Sequence, residues 1–211
     1  MDDSEPDGPN GRLEDGRKRK RRGQLQAPSD SKKSLDDKMQ QLLEQHSTML
    51  AVFASRKTRV YAAKTQCDKD INAMVDYMLR IDDETLTADL LPVLLSIVQV
   101  GKGHNNVDMP SLSMGACLEL LPLLHPLLDS EHESYVIKAT DFLLAIVKHW
   151  WNDFLVMTTG ANKTGLEASL STPGVYTSLV AMTDKVGKFV EKKSKVGTKA
   201  KALFDMLLQL Q

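Results

Sequence analysis

Side chains capable of chemistry are scattered through this chain, but their spacing assembles no reaction centre. The five histidines, His46, His104, His125, His132 and His149, form no HExxH or HxH grouping of the kind that holds a catalytic metal. His46 and His125 stand among leucines, the setting of a core histidine that has its hydrogen bonds satisfied. Cys67 and Cys117 lack the pairing distance of a zinc motif, and two cysteines do not make a secreted disulfide scaffold. Both read as small buried hydrophobes in a reducing compartment. Asp82, Asp83 and Glu84 cluster at a predicted helix start, where negative charge complements the helix dipole. Gly101-Lys102-Gly103 lacks the strand and helix that a phosphate-binding loop requires, and no GxSxG elbow occurs. The expectation is a non-enzyme with no cofactor and no metal.

Residues suited to gripping another molecule are better represented. Arg17-Lys18-Arg19-Lys20-Arg21-Arg22 is a run of six cations flanked by Gly16 and Gly23. Such a run fits the acidic groove of a nuclear import receptor, and it also attracts nucleic acid or acidic tubulin tails without specificity. Lys185, Lys188, Lys192, Lys193, Lys195, Lys199 and Lys201 make a second basic zone, opposed locally by Glu191. That zone reads equally well as the solvated face of an amphipathic helix. Trp150-Trp151 places two large rings about 100° apart on a helix, so one should enter the core and the other a groove or interface. Tyr135, just after a turn, and Lys148, beside the tryptophans, extend the cationic-aromatic character.

Helices must position these groups. The chain has 211 residues, 42% hydrophobic and 5% aromatic, with a formal net charge of −1. Abundant Leu and Met with few β-branched alternations favour helices over strands. No apolar run reaches the roughly 20 residues needed to cross a bilayer. The acidic start Met1-Asp2-Asp3-Ser4-Glu5 is unlike a secretory signal, so an intracellular, soluble chain without membrane contact is expected. Residues 1–34 hold few large apolar groups and should form a disordered basic tail. From Leu35 onward Met39, Leu42, His46, Met49, Phe53, Arg56, Val60, Ala63 and Cys67 alternate steps of three and four, the seam of one long helix. Arg56 interrupts that seam with a cation, and Arg59 lies on the adjacent face.

Further helices follow from the same spacing. Asp68 is a candidate cap for a helix through Ile71, Met74, Val75 and Met78, and Asp82 or Asp83 for the next, which Pro92 should kink or restart. A fourth should run from Ser111 to Leu128 and a fifth from Glu131 to Met157, with a Gly/Ser/Thr-rich loop at 158–174 and a final helical region at 175–210. Asp89-Leu90-Leu91-Pro92-Val93-Leu94-Leu95 and Glu119-Leu120-Leu121-Pro122-Leu123-Leu124-His125 repeat one design, an acidic residue before a leucine run broken by proline. The expected fold is all-α, a helical bundle or short solenoid-like array over residues 35–211.

Several segments in order resemble a known family. Glu44-Gln45-His46-Ser47-Thr48-Met49-Leu50 and Ser55-Arg56-Lys57-Thr58-Arg59-Val60 look like the opening helix of the C-terminal domain of katanin's regulatory B subunit. Asp76-Tyr77-Met78-Leu79-Arg80-Ile81-Asp82-Asp83, Glu133-Ser134-Tyr135-Val136-Ile137, Lys148-His149-Trp150-Trp151 and Asp205-Met206-Leu207-Leu208-Gln209-Leu210 are similar to the B-subunit-like members. The resemblance covers about Glu44 to the end. It departs at Cys67, where relatives tend to carry tryptophan, and it shows no counterpart of the regulatory subunit's WD-repeat propeller.

The resemblance implies a helical domain that docks the N-terminal helical domain of katanin's catalytic ATPase subunits and modulates microtubule severing. Microtubules and spindle-pole proteins would be further partners, with a nuclear location in interphase and spindle poles in mitosis. The partner-binding residues expected are Arg56, Arg59, Tyr135, Lys148, Trp150 and Trp151, with apolar anchoring from the exposed side of the first helix. Two alternatives stay open: a nuclear nucleic-acid-binding protein using the basic runs, and a HEAT-like adaptor for another protein.

Overall fold

A computed structural model of the protein describes residues 29–68, 70–100, 111–159 and 170–210. Among these residues there are nine α-helices and no strand: α1 (Ser29–Cys67), α2 (Ile71–Ile81), α3 (Glu84–Val100), α4 (Met114–Asp129), α5 (Glu133–His149), α6 (Trp151–Thr159), α7 (Thr172–Ala181), α8 (Thr183–Val190) and α9 (Lys195–Leu210). The all-α expectation holds. The chain divides into two compact units, residues 1–47 and 48–211, the boundary falling within α1. Helix α1 begins at Ser29, inside the stretch expected to be a tail, while the six-cation run Arg17–Arg22 and His104 lie outside the described residues.

Short polar residues fix the helix ends in the second unit. The Asp70 carboxylate accepts a hydrogen bond from the Asn72 N–H at 3.0 Å and starts α2. Of the two candidate caps for α3, Asp83 does the work. Its Oδ1 accepts from the Thr85 N–H at 2.7 Å, the Thr85 hydroxyl at 2.6 Å and the Leu86 N–H at 3.2 Å. Asp82 instead ends α2 in the left-handed region, φ 46°, where its N–H donates to the Met78 carbonyl at 3.0 Å. Aspartate tolerates that conformation better than a β-branched residue would. Ser113 caps α4 through the Ala116 N–H at 3.1 Å.

The two proline-broken leucine runs become unbroken helices. Pro92 sits inside α3, and Pro122 and Pro126 inside α4; all three rings are exposed. A proline there forgoes one backbone hydrogen bond, yet the helix continues through each of the three. The leucines between them turn inward: Leu90, Leu91, Leu94, Leu120, Leu121, Leu124 and Leu127 are all essentially inaccessible. Each such side chain contributes roughly 1.5–3 kcal/mol of burial free energy. Helix α5 is the centre of this unit, packed by α3, α4 and α9, while α8 lies along α9, and α7 against α4.

The long fifth helix expected from Glu131 to Met157 is two helices. Trp150 leaves helical geometry (φ −105°, ψ 23°), although its N–H still reaches the Ile146 carbonyl at 3.1 Å. The bend lets α6 pack on α7 and α9 and buries Phe154 completely, its ring 6.4 Å from that of Tyr176. The final region is likewise three helices. The turn from α8 into α9 is tight enough that a Cβ on Gly197 would stand 1.8 Å from the Lys192 carbonyl oxygen, so only glycine fits.

Candidate partner-binding surface

The 3-4 seam of α1 splits into two fates within the second unit. Val60, Ala63 and Cys67 pack against the core, Ala63 completely. Met49 and Phe53, on the same seam, are 50% and 56% exposed, and Leu50 and Val52 beside them are exposed as well. Side chains three and four residues apart share a helix face, so the apolar stripe continues past the point where the core ends. Within the first unit, Leu35, Met39, Leu42 and Leu43 of α1 are exposed too. His46, expected in a core, is exposed for the same reason: its leucine neighbours cover nothing. Contiguous exposed apolar side chains of this size mark interaction sites in soluble proteins.

Arg56 stands where the stripe changes fate, and it is not a free cation. Its Nε and Nη2 donate to Asp89 Oδ2 and Oδ1 at 2.6 and 2.8 Å, a bidentate fork onto α3. Lys138 of α5 approaches the same carboxylate at 3.7 Å and lies 5.9 Å from the Tyr135 ring centroid. Tyr135 in turn stacks edge-on with His132 at 5.2 Å. One turn further along α1, Arg59 pairs with Asp83, the cap of α3.

The charges confirm how committed these groups are. The hydrogen bond to Asp89 raises the Arg56 pKa above its ordinary value in spite of partial burial. The Asp89 carboxyl is held below its ordinary range by the Arg56 hydrogen bond, which outweighs burial, with further help from the Arg56 and Lys138 charges. Burial pushes Asp83 up, but hydrogen bonds from Thr85 and Leu86 and the Arg59 charge together hold it low.

The six expected binding residues therefore fall into two groups. Arg56, Arg59 and Tyr135 meet at the corner of α1, α3 and α5. Lys148, Trp150 and Trp151 lie at the far end of α5, about 20 Å away at 1.5 Å per residue. There a cleft of about 470 Å³ is lined by Lys148, His149, Trp151, Asn152, Met206 and Gln209. Both tryptophans are half-buried against the core; Trp151 borders the cleft, and Trp150 packs edge-on against His149 at 4.7 Å. The lysine zone is partly consumed internally. Lys185 pairs with Asp129 and Lys199 with Asp141, whereas Lys188, Lys192, Lys193, Lys195 and Lys201 are exposed.

Among the described residues no group of histidine, cysteine and carboxylate side chains has the geometry to hold a metal ion, and no helix is long and apolar enough to cross a membrane. Cys117 is buried, and burial pushes its thiol up to about 12, so it stays protonated and unreactive. Cys67 is half-buried, its thiol also raised by burial and by Asp68. The sequence points to apolar anchoring from the exposed side of the first helix and places Met49 and Phe53 on its 3-4 seam, without showing where that seam leaves the core. The available signal was length: the seam from Met39 to Cys67 spans more turns than one small core can cover.

Two comparisons bear on this surface. Residues 44–207 match the family described as the con80 domain of Katanin. A curated mouse (Mus musculus) protein, KATNB1-like protein 1, is 38% identical over 111 residues, which is 52% of this chain and 35% of that protein. The aligned stretch thus spans about a third of the relative's length.

Proposed function

This chain belongs to the katanin con80 domain family, and on that premise we propose that it is a non-catalytic regulatory subunit. Its partner is the N-terminal helical domain of katanin's catalytic ATPase subunits, and binding modulates microtubule severing. One observation carries the reading: Met49, Leu50, Val52 and Phe53 stand exposed on α1, inside the matched residues. Removing about half of each of these side chains from water on docking is worth on the order of 1 kcal/mol apiece. A helical partner is the natural complement, since an apolar stripe at 3-4 spacing interdigitates with another helix. Tyr135 and Lys138 adjoin Arg56 and would form the polar rim of the interface. Lys148, Trp150 and Trp151 lie too far away to share a patch with that corner and belong to a separate contact.

The test is calorimetric titration of the full chain with the N-terminal domain of a katanin ATPase subunit, alongside Phe53→Asp. Micromolar or tighter binding that Phe53→Asp weakens at least tenfold supports the reading. No binding at 100-fold higher concentration, or binding indifferent to Phe53, overturns it. A severing assay on fluorescent microtubules, with and without the chain, then gives the direction of regulation. Nuclear import through Arg17–Arg22 is a separate part of the proposal, checked by following a fluorescent fusion with and without that run.

A further inference from the structure

The four exposed apolar residues are useful to a partner only if α1 points them in one direction, and little apolar packing fixes that direction. Within residues 48–67, Val60, Ala63 and Cys67 supply the hydrophobic foothold, and none of them is large. We propose that Arg56 and Arg59 are positioning residues, a two-point electrostatic clamp that sets how α1 presents Met49, Leu50, Val52 and Phe53. The inference rests on the docking role proposed above for its purpose, but the clamp itself stands on geometry.

Four features support a clamp over a pair of incidental surface ion pairs. First, two points are used. Arg56 and Arg59 lie about 4.5 Å apart along α1, and their partners Asp83 and Asp89 about 9 Å apart along α3. One contact would leave α1 free to pivot; two fix both its crossing angle and its rotation. Second, each acceptor also has a partner other than the arginines. Asp83 is held by three hydrogen bonds as the cap of α3, and Asp89 faces Lys138 of α5 at 3.7 Å. Third, the Arg56 fork is bidentate, at 2.6 and 2.8 Å, which specifies orientation as well as proximity. Fourth, Arg56 occupies a seam position that its neighbours Phe53 and Val60 fill with apolar groups. A cation there sacrifices hydrophobic attachment for geometric control, as a polar residue in a coiled-coil seam does.

The experiment reads the clamp without any partner. Spin labels at Ala54→Cys on α1 and Gln99→Cys on α3, both exposed positions, are placed in the full chain carrying Cys67→Ala; the buried Cys117 is left as it is. Pulsed dipolar spectroscopy should give one narrow distance distribution. With Arg56→Glu and Arg59→Glu the distribution should broaden at least twofold. The reciprocal set Arg56→Glu, Asp89→Arg and Lys138→Gln, with Arg59 intact, should restore the narrow one. The milder Arg56→Gln and Arg59→Gln chain covers the case in which charge reversal unfolds the protein, and circular dichroism verifies helicity in each.

A distribution that stays narrow after both arginines are removed overturns the clamp, as does one that the reciprocal set fails to narrow. Affinity for the ATPase N-terminal domain should fall at least tenfold in the reversal and recover in the reciprocal set. Unchanged affinity despite broadening would show that presentation is not its purpose, which also overturns the proposal. If the distances behave as expected while the unaltered chain ignores the ATPase domain, the clamp stands and the docking reading fails.

Discussion

Helix α4 and the turns of α1 from Thr48 to Phe53 are both rich in large apolar side chains, yet they end in opposite environments. In α4, Leu120, Leu121, Leu124, Leu127 and Leu128 are buried, because α2, α3, α5 and α7 close over them from several sides. In α1, Met49, Leu50, Val52 and Phe53 remain exposed. The difference is not in helix-forming tendency or in apolar content. It is in what stands opposite. A stripe with neighbours is core; a stripe without them is a surface.

The sharpest way to break that contrast is to treat the two regions alike. Phe142→Ala, in the fully buried wall of α5 against which α4 packs, should cost about 3–5 kcal/mol in a urea titration. A cost below 1 kcal/mol would mean that this wall is not a packed interior. Gly197→Ala should cost about 2–3 kcal/mol, since a Cβ would lie 1.8 Å from the Lys192 carbonyl oxygen and backbone must move. Alanine ordinarily favours a helix, so any gain in melting temperature would contradict the close α8–α9 turn.

Substitutions on the exposed stripe should behave in the reverse manner. Phe53→Asp should leave folding stability within about 0.5 kcal/mol of the parent. The same change should weaken ATPase-domain binding at least tenfold, about 1.4 kcal/mol. Calorimetry and a thermal melt on one sample separate the two effects.

The corner between the two regions has a pH signature. Asp89 has a folded-state pKa lowered from its ordinary 3.8, first by the Arg56 hydrogen bond. Its stabilisation is therefore complete above 3.8 and lost as pH falls through the lower folded value. The parent should lose stability more steeply than Asp89→Asn below about pH 4, by about 1 kcal/mol in all given the partial exposure of the pair. Denaturant midpoints between pH 2 and 6 check the sign. Asp70→Ala, which removes only the α2 cap, should cost less still, about 0.5–1 kcal/mol by thermal melt.

Much of this architecture can be read from the chain without coordinates. The 3-4 spacing locates α1, α2 and α3, and Asp83 announces a helix start through its short acceptor side chain. The order of motifs from Glu44 onward identifies the family that the matched residues 44–207 confirm. The bend at Trp150 was not legible, because no proline or glycine marks it; packing of Phe154 decides it. Pro122 and Pro126 lie inside α4, as the expected Ser111–Leu128 helix has them, and of the two outcomes open at Pro92 a fresh start is excluded, because α3 runs on through it.

The arginines make the same point at the candidate site. Arg56 and Arg59 look from the sequence like cations offered to a partner, because ion pairs between residues 33 and 24 positions apart leave no local trace. The order and type of amino acids set the helical periods, the caps and the family. Only the three-dimensional arrangement determined which apolar stripe found a neighbour and which cation found a carboxylate, because burial and ion pairing depend on distances between segments that spacing along the chain does not encode.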